Sequence, residues 1–481
     1  MSITRKIAKN TSILFLSQVI SYILVFFYTI YIARYLGAEG YGVLSFALAF
    51  SGIFSIITDL GLSTLTVREV ARDKTLANKY LGNILIIKLI LSFLVLLIIF
   101  LAINLIGYSE ETIKVVYFVS ISVILTSISG IFYSIFQAYE KMEYQALGQI
   151  MTSLIIFSGV LAVIYYEFNV IAVSFLFFAS STFILIYTLI IYFNKFSIPK
   201  FEFNKQFWHN SIKESLPFGL TGISGMIYTY IDSVMLSIIQ GNEYVGWYNA
   251  SYRIVLFLLF IPGTINIAIF PSMAKFHVSS PDSLRLMNEK YFKFMIMIGI
   301  PIAIAFTILA DRIILLLFGN GYGPSIIVLQ ILIWTIVFTF AGAGFVRLLE
   351  ATNKQLLMTK ISVLSVLVNF LLNLILIPKF SLIGASIATV FTEIVLITGV
   401  FRVSYNYGYG IPLKNIFNDL YKIIISSLLM GIFILYMQNL NLLILIFLAT
   451  ITYFSVLYIL KGIDEKDIYI LKKILNIKSK V

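Results

Sequence analysis

The 481-residue sequence contains no cysteine and only two histidines, so it offers no disulfide framework, no thiolate nucleophile or metal site, and little imidazole for catalysis or ligation. Charge is scarce as well. Asp, Glu, Lys and Arg make up 12% of the chain against 60% hydrophobic residues, and mean hydropathy is +1.00. No soluble core hides that much apolar surface from water, so the chain reads as an integral membrane protein. A phosphate-binding Gly-rich loop with Lys-Ser/Thr is also missing, which argues against ATP hydrolysis by this chain. The formal net charge of +12 would suggest a nucleic-acid partner in a soluble protein. In a membrane chain topology explains it first, and neither nucleic acid nor any cofactor or metal is expected.

What is present is a succession of apolar runs. They read as about 14 spans, near 11–34, 43–65, 81–106, 113–138, 145–166, 169–193, 216–240, 244–275, 291–310, 323–346, 356–378, 382–401, 418–437 and 441–460, each roughly the 20 residues that cross the hydrocarbon. The start "MSITRKIAKN" leads into a run too long for a signal h-region and without a small-residue cleavage site, so the first helix is expected to stay as an anchor. Basic residues collect at the termini and in every second loop, from Arg5, Lys6 and Lys9 through Arg68, Arg72, Lys74 and Lys79 to the tail "LKKILNIKSK". Arg34, Lys114, Arg312 and Lys379 fall on the other side. This asymmetry puts both termini in the cytoplasm and the chain in the cell membrane as a multi-pass protein.

Two turns carry a repeat. "YLGAEGYG" places Gly37, Glu39 and Gly42 between spans one and two, and "IQGNEYVGWY" places Gly241, Glu243 and Gly246 between spans seven and eight. Six spans separate the copies, and an even number preserves orientation. The chain is therefore expected to hold two pseudo-two-fold-related six-helix lobes, 1–194 and 216–403, joined by a linker at 195–215 and followed at 404–481 by two further helices and a basic tail. With Phe201, Phe203, Phe207 and Trp208, the linker reads as an amphipathic segment on the inner leaflet. Neither it nor the other long connection, near 275–290, is large enough for a folded domain.

At this point the chain resembles the polysaccharide flippases of the multidrug/oligosaccharidyl-lipid/polysaccharide exporter superfamily. The resemblance rests on "ARYLGAEGYG", "DLGLSTLTVREVAR", "YIDSVMLSIIQGNEYVGWYNASYR" and "LLLFGNGYGPS" in that order along two lobes. It implies a pair of lobes around a cavity that opens alternately to either side and moves a polyprenyl-diphosphate-linked oligosaccharide outward. The implied partners are the bilayer, the lipid-linked glycan and glycan-assembly membrane proteins.

Charges within spans are the independent route to function, because each costs a few kcal/mol or more unless paired or hydrated. Asp232 and Arg253 lie about ten residues either side of the Asn242 turn, roughly 15 Å of helix rise, and so near the midplane at matching depth. Helical spacing puts Tyr228 with Asp232 and Asn249 with Arg253. Arg253 suits a diphosphate, with Asp232 holding it or exchanging partners; the alternative is a permanent ion pair between adjacent helices. Gln18 adds a polar group in span one. Asp59 and Lys88 form a second candidate pair, either an inner gate or a snorkelling lysine beside a capping aspartate. Glu393 is a candidate coupling carboxylate, and Arg34 and Arg347 join the gate and coupling candidates, Arg347 with Glu350 reading also as an interfacial charge. Pro217, Gly219, Gly222, Gly225, Pro262, Gly263, Pro271 and Pro301 concentrate hinge or close-packing residues in the second lobe.

Three rival functions share parts of this pattern. A drug or cation exporter would need acidic or strongly aromatic cavity groups, and span one offers only Gln18 and hydroxyls. A lipid II flippase fits the fourteen helices but would be more cationic in the first lobe than Arg34 and Lys88 provide. A membrane glycosyltransferase would need outward carboxylates on a large external loop, whereas Glu39, Glu243, Glu110 and Glu111 sit in short turns. A non-enzymatic flippase is therefore the expectation, by analogy of fold.

Overall fold

The computed structural model describes residues 3–196, 204–463 and 467. Phe201, Phe203 and the basic tail lie outside the described residues. Every regular element among those described is helical. In chain order these are α1 (Ile3–Asp59), α2 (Leu62–Arg72), α3 (Ala77–Ile106), α4 (Glu110–Ala138), α5 (Met142–Tyr165), α6 (Val170–Lys195), α7 (Lys205–Gln240), α8 (Asn242–Leu258), α9 (Phe260–Ser279), α10 (Pro281–Ile308), α11 (Ala310–Phe318), α12 (Ser325–Leu332), α13 (Trp334–Ala351), α14 (Gln355–Asn406), α15 (Leu413–Tyr436) and α16 (Leu442–Ile459). Twelve described helical segments are long and apolar enough to cross a membrane. Two of them are double-length: one contains α1, broken at Gly37, and the other is α14, broken at Ser381, which accommodates the roughly fourteen crossings expected.

Local chemistry sets the ends. Ser109 caps α4 by accepting from the Thr112 N–H, with Glu110 and Glu111 in the first turn against the helix dipole. Asn169 caps α6 and Ser280 caps α10, where Pro281 takes the first position. Gly107 ends α3 in the left-handed conformation at φ +85°. The expected span at 244–275 is divided into α8 and α9, which meet at Leu259. Pro262 supplies the reason, since it lacks the N–H that would bond the Leu258 carbonyl one turn back. The expected span at 323–346 corresponds to α12 and α13, which join through Ile333 in helical conformation as one apolar crossing, Ser325–Ala351.

The chain separates into two compact units, Met1–Ala250 with Phe370–Leu382, and Ser251–Asn369 with Ile383–Val481. In the first, α1 packs on α4, α5 and α7, and α4 packs on α6. Its core at the α2 end gathers Leu62, Leu81, Ile84, Ile131, Phe132, Phe136 and Tyr192. Lipid tails are as apolar as leucine, so hydroxyl pairs add to helix association. Ser51 bonds Ser120 at 2.8 Å and Thr58 bonds Ser127 at 2.7 Å, each between α1 and α4. Residues 205–215, expected in the linker, instead form the first turns of α7. Phe207 and Trp208 pack against the α2–α3 core, and the Trp208 indole donates to buried Asn83 at 2.9 Å. Trp208 is thereby half-buried, with its N–H engaged by protein.

In the second unit α10 is central, packing on α13 and α15, with α16 against α15. The α15–α16 pair is fastened to α10–α11 at three heights. Arg312 donates to the carbonyls of Gln438 and Leu440 at 2.8 and 2.9 Å, Tyr453 donates to the Met297 carbonyl at 2.7 Å, and Lys293 pairs with Asp419 at 3.2 Å.

Candidate functional site

Asp232 lies on α7 and is 3% exposed. The Tyr248 phenol on α8 donates to one carboxylate oxygen at 2.8 Å, and the Asn373 amide on α14 donates to the other at 2.5 Å. Both donors are themselves buried. One residue further along each helix the link repeats, as Asn249 donates to the Ser233 hydroxyl at 2.9 Å. The α7–α8 hairpin is thus joined by two polar rungs at one depth, and α14 closes on the first. Neutral donors on both oxygens orient the carboxylate and offset its removal from water. Tyr228, one turn before Asp232, is half-buried.

Tyr248 and Asn373 were not among the sequence-derived candidates. A signal for each was present: Tyr248 follows the second glycine turn directly, and Asn369 and Asn373 stand one turn apart in an otherwise apolar span. Arg253 also lies on α8 and is half-buried, but it belongs to the second unit, whereas Asp232, Tyr248, Asn249 and Asn373 belong to the first. Asn249, expected on the face of Arg253, commits its amide to Ser233 and to the Val245 carbonyl.

The second polar centre is at the break between α1 and α2. Leu60 and Gly61 have positive φ of 45° and 82°, and the turn they make leaves Asp59 facing α3. The Lys88 ammonium meets Asp59 at 2.5 Å, the Ser127 carbonyl at 2.8 Å and the Ser63 hydroxyl at 3.0 Å. Lys88 is 1% exposed, so it does not snorkel, while Asp59 retains 25% exposure. Ser63 also bonds Asp59 from both its hydroxyl and its N–H.

The remaining candidates are dispersed. Glu393 is buried on α14 near buried Thr389 and Thr392. Arg347 and Glu350 form a partly exposed i, i+3 pair on α13 at 2.5 Å. Arg34, Glu39, Glu243 and Gln18 are exposed. On α1 it is the neighbour of Gln18, buried Ser17, that turns inward, donating to Gln149 at 3.2 Å. A further cluster had no counterpart in the sequence reading: Lys290 and Lys293 on α10 both meet buried Asp467, at 2.6 and 2.7 Å. Among the described residues no group of three or more His, Cys, Asp and Glu could hold a metal ion.

The glycine repeat takes a definite form. Gly37 (φ +70°, ψ −179°) and Gly241 (φ +105°, ψ +171°) adopt the same extended positive-φ conformation, a region essentially reserved for glycine. Gly319, in "LLLFGNGYGPS", adopts it as well, at φ +88° and ψ −179°. The turns are braced by Tyr108, whose hydroxyl lies 2.7 Å from that of Ser237. Burial pushes the Tyr108 phenol above its ordinary range and keeps it neutral.

The chain belongs to the polysaccharide biosynthesis protein family, whose pattern matches residues 7–277. It is 25% identical over 413 residues to the capsular polysaccharide biosynthesis protein CapF of Staphylococcus aureus, covering 83% of this chain and 98% of that one. It is 23% identical over 386 residues to the probable low-salt glycan biosynthesis flippase Agl15 of Haloferax volcanii, covering 80% of each. In fold it is similar to the lipid II flippase MurJ in an inward closed conformation, with a TM-score of 0.78 at 18% identity over 92% of this chain and 97% of that one.

Proposed function

We propose that this protein is a flippase that carries a polyprenyl-diphosphate-linked oligosaccharide or polysaccharide repeat unit from the inner to the outer leaflet by alternating access. The observation that carries the reading is membership of a polysaccharide biosynthesis family by a chain of apolar crossings that buries polar groups in mid-span. Relatives named for capsular polysaccharide and glycan flipping point to the same cargo class. Transport of this kind needs no covalent step, only a path on which a charged headgroup is desolvated and released.

In this reading the N- and C-termini face the cytoplasm, the protein sits in the cell membrane, and the glycine turns at Gly37 and Gly241 face outward. Lobes at 1–194 and 216–403 exchange access, and the helices after residue 404 travel with the second. Arg253 takes the diphosphate, since a guanidinium fork matches two phosphate oxygens. Asp232, held by Tyr248 and Asn373, keeps one negative charge fixed in mid-span on α7.

The test is reconstitution into liposomes holding a fluorescent polyprenyl-diphosphate oligosaccharide, scored by accessibility to an external quencher. Protein-dependent movement that fails for a lipid lacking the diphosphate is the expected result. Efflux of a soluble organic cation with no lipid movement would overturn the reading. Arg253→Gln is expected to abolish movement while the protein still inserts and folds.

A further inference from the structure

The second half of α1 and the α7–α8 hairpin meet along a seam that has glycine at every height. At one end the two repeat turns interlock. A methyl on Gly42 would collide with the Asn242 carbonyl and lie 3.0 Å from the Gly246 nitrogen, and a methyl on Gly246 would collide with the Ala38 carbonyl and lie 3.1 Å from its Cα. Ala38 follows Gly37 as Asn242 follows Gly241, so each turn presents its last glycine to the residue after the positive-φ glycine of the other. The contact is reciprocal and made of backbone alone.

At the other end a second pair of glycines comes together, with the Phe218 Cβ also in contact. A methyl on Gly61 would lie 2.5 Å from the Ser215 carbonyl and 2.8 Å from the Gly219 nitrogen, and one on Gly219 would lie 2.8 Å from the Leu60 carbonyl. Here charges are added: Arg68 meets Glu214 at 2.7 Å and lies over the Phe218 ring at 5.7 Å. Between the ends the glycines face side chains, Gly52 the Tyr230 ring and Gly222 the Ile56 side chain.

We infer that the seam carries two backbone latches, Gly42–Gly246 at the glycine-turn end and Gly61–Gly219 with Arg68–Glu214 at the α2 end, which open in alternation. The inference rests on the transport reading for its purpose, not for its geometry. A backbone-on-backbone contact can part and re-form without searching rotamers, and reciprocal glycines give it one closed register. The latches differ in kind. The glycine-turn latch is held by backbone contact, with the exposed carboxylates of Glu39 and Glu243 in its turns, whereas the α2-end latch includes an exposed ion pair that salt and charge reversal weaken.

The absence of native cysteine permits a single reporter, Tyr230→Cys, midway along the seam, labelled with a membrane-impermeant maleimide. Added from the glycine-turn side, label should react about tenfold or more faster in Gly42→Ala and Gly246→Ala, the population shift expected of a methyl forced into a packed contact. Added from the α2 side, it should react faster in Gly219→Ala and Arg68→Glu, and Arg68→Glu with Glu214→Arg should restore the parent rate. Arg68 also pairs with Glu69 at 2.6 Å, so these charge variants and their parent carry Glu69→Gln; the swapped pair, 34% and 56% exposed, then tests the α2-end latch even if a glycine variant fails to fold. Rates that rise equally from both sides, or a swap that does not restore the parent, would overturn the latches. Labelling needs no cargo: sided labelling without glycan-lipid movement would overturn the cargo and leave the latches standing, and movement with unsided labelling would do the reverse.

Discussion

Lys88 provides the sharpest energetic test. Its ammonium has three N–H donors, and three acceptors surround it at 3.0 Å or closer: Asp59, the Ser127 carbonyl and the Ser63 hydroxyl. With 1% of the side chain exposed, water cannot replace a lost partner. Asp59→Asn keeps the shape and removes the compensating charge, leaving a buried cation at a cost of about 3–5 kcal/mol. Lys88→Met is gentler. Asp59 stays 25% exposed and keeps both bonds from Ser63, so its loss is nearer the roughly 1–3 kcal/mol of a partner removed from a hydrated group. The double variant leaves two neutral groups and should lie closer to the parent than Asp59→Asn does, a coupling of about 2 kcal/mol or more. Membrane proteins of this size unfold irreversibly, so the assay is the half-life of monodisperse protein in detergent at one fixed temperature. The expected order is parent, then the double variant and Lys88→Met, then Asp59→Asn. An Asp59→Asn protein as long-lived as Lys88→Met, or a double variant whose losses simply add, would refute the reasoning.

Other outcomes follow from the same contacts. Tyr248→Phe removes one of the donors to Asp232 and should cost about 1.5–3 kcal/mol, the range for a hydrogen bond to a charged group, seen as a shorter half-life and slower lipid movement. Gly37→Ala places a side chain at φ +70° and ψ −179° and should destabilise by about 1–3 kcal/mol although no neighbour lies within 4 Å of the added methyl, so a neutral result in thermal inactivation would count against the strain. Asp467→Asn leaves two lysines of α10 short of charge, and limited proteolysis should then release the C-terminal helices faster. Glu350→Gln breaks only a partly exposed pair and should change stability by less than about 1 kcal/mol.

The sequence by itself determined what depends on neighbours in the chain. Apolar runs give the crossings because a helix in lipid satisfies its own backbone, and the turn glycines at 37 and 241 declare themselves because positive φ is a local demand. The pair Asp59–Lys88 was also legible, since adjacent spans bring two rare charges to one depth. Tertiary structure alone decided the rest. Asn373 reaches Asp232 across 141 positions, Asp467 reaches Lys293 across 174, and Trp208 reaches Asn83 across 125. The reciprocal contact of Gly42 and Gly246 is of the same sort. A glycine that frees a turn and a glycine that lets two backbones touch are the same letter, and only the packed chain tells one from the other.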